Sequence, residues 1–157
     1  MIPDELVRHL NGPVLAFAGS RDRRLHPFAT ITAGLRVDAP RDTIEFLVPH
    51  AEGDQILAGY RDNGRIALTV VEPISHATYQ FKGRFVADRP ASEDDRALHD
   101  IFKAKASARL ESVGYRRDMV YGYASWPATA VTMRVEDIFV QTPGPGAGKR
   151  ITFEASP

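Results

Sequence analysis

The chain has 157 residues, no cysteine, and twenty Lys or Arg against twenty Asp or Glu, so its formal net charge is zero. That length fits one domain able to bury a core without metals or disulfides, and the missing thiols exclude disulfide and thiolate chemistry. The charge balance gives no global pull toward nucleic acid or an anionic membrane, no apolar run approaches the ~20 residues that span a bilayer, and the start MIPDELVRHLNG lacks signal-peptide character, so a soluble cytoplasmic protein is expected.

Pro3 followed by Asp4 and Glu5 predicts a helix start, with Leu6, Val7 and Leu10 as its apolar stripe and Asn11-Gly12-Pro13 as its stop. Val14 to Gly19 reads as a first strand, followed by the basic turn Ser20 to His26. From Phe28 to Val37 the alternation predicts a second strand with Ala29, Ile31, Ala33, Leu35 and Val37 facing the core and Thr30, Thr32, Gly34 and Arg36 on the polar face. Thr43 to Val48 returns as a third strand with Ile44, Phe46 and Val48 inward. The period then changes, and Ile56, Leu57 and Tyr60 predict a helix from about Gly53 to Asp62, stopped at Asn63-Gly64.

Arg65 to Val71 and Ala77 to Ala87 are strands four and five. In the fifth, Tyr79, Phe81 and Phe85 alternate with Thr78, Gln80, Lys82 and Arg84, which gives one aromatic and one polar, cationic face. Ser92 and the acids after it resemble a capping box, and Leu98, Ile101, Phe102 and Lys105 follow at helical spacing to Gly114, with a break expected near Ser107. YRRDMVYGYASWP reads as loop. Thr129 to Val140 is a final strand, bulged at Glu136-Asp137, and Arg150 to Phe153 a short terminal one. Strands in this number, with two inserted helices, predict a mainly β (α+β) single domain, a six-stranded antiparallel barrel with short flanking helices.

The chemical signals are sparse. In TPGPGAGKR three residues separate Gly144 from Gly148 where a phosphate loop needs four, and Arg150 stands where Ser or Thr is required. His9, His26, His50, His76 and His99 form no HxH or HxxxH pair, so no zinc site is expected. No serine lies in a G-x-S-x-G elbow. The arginines of SRDRR read as a solvated turn. What remains is the polar set Thr30, Thr32, Arg36, Thr78, Gln80, Lys82 and Arg84 on two strands. It fits either a sheet with one wet face or the wall of a site for an anionic, planar ligand, in which cations meet a phosphate and hydroxyl and amide groups bond a ring.

The segments GPVLAFAGSRDRRLHPFATITAGLRVD, QILAGYRDNGRIALTVVEP, TYQFKGRF and WPATAVTMRVEDIFVQTPGPGAG, in that order, resemble the FMN-binding split barrels related to pyridoxamine 5'-phosphate oxidase. The resemblance implies a homodimer with FMN at the subunit interface and a small-molecule substrate. Thr78 matches a family glutamine that bonds the flavin, Gln80 lies on the same face, and Trp126 falls near a family tryptophan close to the ring. Arg150 resembles the arginine of the substrate-reading RLHxR signature, whose histidine and second arginine are missing here, so a true pyridoxamine phosphate oxidase is not expected. The family's Arg-Lys phosphate clamp is replaced by Gln55 and Ile56, which leaves Arg61, Arg65, Lys82 and Arg84 as substitutes. The activity implied is a flavin-dependent oxidoreductase of unknown substrate. The alternative is a non-enzymatic flavin-, deazaflavin- or haem-binding protein, with His26, His50 or His76 as the haem ligand.

Overall fold

Six strands close an antiparallel barrel in the order β1-β2-β3-β6-β5-β4. They are β1 (Leu15–Arg21), β2 (Pro27–Val37), β3 (Thr43–Pro49), β4 (Arg65–Val71), β5 (Thr78–Pro90) and β6 (Ala128–Val140), with helices α1 (Asp4–Leu10), α2 (His50–Asn63) and α3 (Glu93–Glu111). This computed structural model describes residues 1–118, 122 and 124–152. The expected loop YRRDMVYGYASWP and the expected terminal strand therefore lie partly outside the described residues. Of that strand, Arg150 makes an isolated bridge with Phe139.

The barrel is filled, not hollow. Phe46, Phe81, Leu68, Ile44, Met133 and Ile138 are fully buried inside it, as alternation along β3, β5 and β6 requires. Each end is closed by a helix. Leu6 and Leu10 of α1 enter one end, where the His9 ring meets Tyr79 edge-on at 5.0 Å. Tyr60 of α2 enters the other, 6.5 Å from Phe46 and stacked 6.3 Å from Phe85. Tyr79 and Phe85 are six residues apart on β5, which spaces the two plugs by about 20 Å. Burial pushes the Tyr60 hydroxyl well above its usual pKa, because a dry interior penalises the charged form.

The facing expected for β2 is reversed in its first half. Thr30 and Thr32 are 5% and 0% exposed and pair across the ladder with Ala18 and Ala16, whereas Ala29 is exposed and Ile31 half-buried. The ladder to β3 shifts register between Ala33 and Arg36, around Gly34 at φ 66°. An extra residue at a bulge moves every earlier side chain to the other face. Counting back from Leu35 and Val37 without it puts the threonines on the wrong side. Arg36, beyond the bulge, points outward as expected.

The β5–β6 ladder also shifts, between Lys82 and Gly83 and between Phe85 and Ala87. The first shift leaves Glu136 as the extra residue, at the bulge expected there. Gly83 is required at this point, since a Cβ would lie 1.9 Å from the Arg134 carbonyl oxygen.

Ser92 caps α3 as the sequence predicts: its hydroxyl accepts from the Asp95 N–H at 3.3 Å, and the Asp95 carboxylate accepts from the Ser92 N–H at 2.8 Å. The helix then runs unbroken past Ser107. Its buried stripe is Asp95, His99, Phe102, Ala106 and Ser107; Ile101, expected in that stripe, is 55% exposed. The difference arises because α3 lies against the outer face of β2, and Gly34 leaves room for the helix backbone at His99.

Candidate functional site

With the lumen packed, a ligand has to lie outside the barrel. Leu15, Ile31 and Ala33 of the outer sheet face, together with Phe102, Ala106 and Leu110 of α3, line a cleft of about 390 Å³. The α3 residues recur at i, i+4 and i+8 and so present one apolar ridge. Pro73 and His76 of the β4–β5 turn and Tyr115 also line it, and Lys103 adds a further polar residue. The combination of apolar walls with a few convergent polar groups is the usual form of a small-molecule site.

One ion pair holds this cleft in shape. Arg109 Nε of α3 donates to Glu72 Oε1 at 2.6 Å, and the other Glu72 oxygen accepts from the Ser75 N–H at 2.6 Å. The Arg109 guanidinium, and then the Ser75 donors, hold the Glu72 carboxyl down at about 2. A second network holds the start of α3: Asp95, almost fully buried, accepts from Arg89 at 2.5 Å and from Arg36 at 3.3 Å. Glu45 takes the other donors of both arginines at 3.0 Å. Arg89 depresses the Asp95 carboxyl far below the usual carboxylate range.

From the cleft a polar strip continues along the outer face of β5. Thr78 stands at its edge, paired with Val71 of the cleft wall, and its hydroxyl donates to the His76 carbonyl at 2.8 Å. Gln80 follows, its amide donating to Thr69 Oγ1 at 3.0 Å. Lys82 lies over the Phe139 ring at 4.9 Å. Arg84 and Arg65 share Glu136, at 3.2 and 3.3 Å.

The other expected site residues scatter. Thr30 donates to Glu52 Oε2 at 2.7 Å and Thr32 to the Leu47 carbonyl, so both hydroxyls are committed within the barrel wall. Arg36 belongs to the Asp95 network. Arg61 donates to Asp88, and Arg150 pairs with Asp137. Trp126 packs edge-on to His99 at 5.8 Å, with Arg96 over its ring. Ile56, at the clamp position, is buried in the core, while Gln55 is exposed on α2.

Among the histidines proposed as haem ligands, His26 bonds Asp22 and His50 bonds Thr129, while His76 is one of the residues that line the cleft. No group of three or more metal-binding side chains occurs among the described residues, and no helix there is long and apolar enough to cross a membrane. The sequence reading missed the cleft itself. Its available signal was the 102/106/110 spacing on α3 opposite the apolar alternation of β2.

No protein-family model and no curated protein matches the chain. Solved structures do. Group A Streptococcus HupZ is 19% identical with TM-score 0.58, over 95% of this chain and 99% of that one. An F420 reductase is 11% identical with TM-score 0.58, over 87% and 98%. An FMN-binding protein from Syntrophomonas wolfei is 14% identical with TM-score 0.51, over 79% and 74%. At these identities the likeness shows the fold: the chain is a split barrel of the kind found in FMN-binding proteins and F420 reductase.

Proposed function

We propose that the protein binds a flavin-type cofactor in the cleft between α3 and the outer sheet face and serves as a flavin-dependent oxidoreductase for a small molecule. The observation that carries this reading is the cleft: about 390 Å³ and apolar on both walls, with Thr78 paired to Val71 of its lining and Gln80 two residues further along β5. Apolar walls suit the two faces of a planar ring. The hydroxyl of Thr78 and the Nε2 of Gln80 already donate to His76 and Thr69, so their oxygens remain as acceptors for a ring N–H. A bound flavin would supply the redox chemistry; the chain's own contribution is to hold the ring, exclude water with Phe102 and Leu110, and orient the ring edge. That the solved structures sharing this fold include an FMN-binding protein and an F420 reductase supports the same reading.

A homodimer belongs to this proposal. Phe17 and Leu25 are exposed on the β1–β2 hairpin, and a second copy over this face would cover them and complete the site. The test is reconstitution. Purified protein mixed with flavin and passed through a sizing column should elute yellow at the mass of a dimer, and bleach on addition of a reduced nicotinamide. Colourless protein at the monomer mass would refute it.

His76 favours a second reading. It lines the apolar cleft on a turn with φ 58°, and an imidazole there would be the haem ligand. A Soret band on addition of haemin, lost in His76→Ala, would select that reading over the flavin.

A further inference from the structure

Resting on the flavin reading, we infer that the cleft takes its ligand without a phosphate anchor: it recognises the neutral ring system and discriminates little between riboflavin and FMN. The positions expected to clamp the phosphate hold Gln55 and Ile56, and Ile56 is buried in the core. The amino end of α2, where backbone N–H groups favour an anion, carries Glu52 in its first turn. That carboxylate, held by Thr30 at 2.7 Å, supplies the negative charge itself.

The arginines named as substitutes already hold carboxylates, Arg65 and Arg84 sharing one between them. Arg61 is held by Asp88, Arg65 and Arg84 by Glu136, Arg36 by Glu45 and Asp95, and Arg150 by Asp137. Beside the cleft, Arg109 belongs to Glu72, and Lys103 in the lining is itself engaged. Each of these arginines is about half-exposed, and moving one to a phosphate would give up its present ion pair, which offsets part of the gain. A second copy of the chain brings the same residues with the same pairings. Among the described residues Lys82 holds no carboxylate, but it stands four residues along β5 from Thr78, about 13 Å away.

The experiment is a set of fluorescence-quenching titrations of the intact protein with riboflavin and with FMN, at low and high NaCl. One charge-assisted bond to a phosphate is worth roughly 10- to 150-fold in affinity. Without such a bond the two affinities should agree within about fivefold at both salt concentrations. Lys82→Ala and Lys103→Ala should leave their ratio in that range, even where Lys103→Ala weakens both ligands through the cleft wall. A larger preference for FMN, one that fades in high salt, or a loss confined to FMN in either variant, would overturn the inference while leaving the flavin reading intact. Binding of neither flavin would overturn both.

Discussion

The Glu72–Arg109 pair ties the β4–β5 turn to α3 across the cleft, and its removal gives a prediction whose size and pH dependence follow from the structure. A carboxyl held at about 2 instead of 4.5 corresponds to about 3 kcal/mol at 1.36 kcal/mol per pH unit. That figure is an upper bound, because Arg109 is 39% exposed and water screens the pair. Glu72→Gln should therefore cost about 1–2 kcal/mol in urea unfolding at pH 7. Since the folded pKa is depressed, the stabilisation is complete above pH 4.5 and is lost as pH falls toward 2. The cost of Glu72→Gln should accordingly shrink by about half between pH 7 and pH 3. Arg109→Met should remove the same pH dependence, and the double variant should cost little more than Glu72→Gln alone. A cost of Glu72→Gln that stays constant over that pH range, or additive single costs, would refute the reasoning.

Three further variants test the barrel that carries the cleft. Phe81→Ala removes a fully buried core ring and should lower stability by about 3–5 kcal/mol, read from the urea midpoint at constant m. Gly83→Ala drives a methyl into the Arg134 carbonyl and should cost about 2–4 kcal/mol, or prevent folding, by thermal melting followed by circular dichroism. Thr30→Val should cost about 1 kcal/mol through its lost bond to Glu52 and leave flavin affinity unchanged in a quenching titration; a selective loss of affinity would restore Thr30 to the ligand wall.

Much of the fold was legible because local signals agreed with the tertiary arrangement. The Ser92–Asp95 capping box, the stop at Asn63-Gly64, the alternation of Phe81 with Lys82 and the bulge at Glu136 are all written within a few residues. The facing of Thr30 and Thr32 was not, because it depends on a one-residue bulge at Gly34 that alternation cannot count. The site was less legible for a related reason. Glycine and alanine in the sequence do not show which surface they leave open, so the cleft emerged only when α3 was laid on β2. Nor does a row of arginines reveal its partners: nothing near Arg65 and Arg84 in the sequence shows that both share Glu136 of β6.

The central claim is that the space between α3 and β2 holds the ring, and Ala106→Trp tests it most directly. Ala106 is buried in the cleft wall, and an indole there fills the space while the barrel beneath is untouched. In parallel titrations followed by flavin fluorescence, the natural protein should quench to saturation and Ala106→Trp should not, with both giving the same far-ultraviolet circular dichroism. Equal binding by the two, or no quenching by the natural protein, would contradict the account.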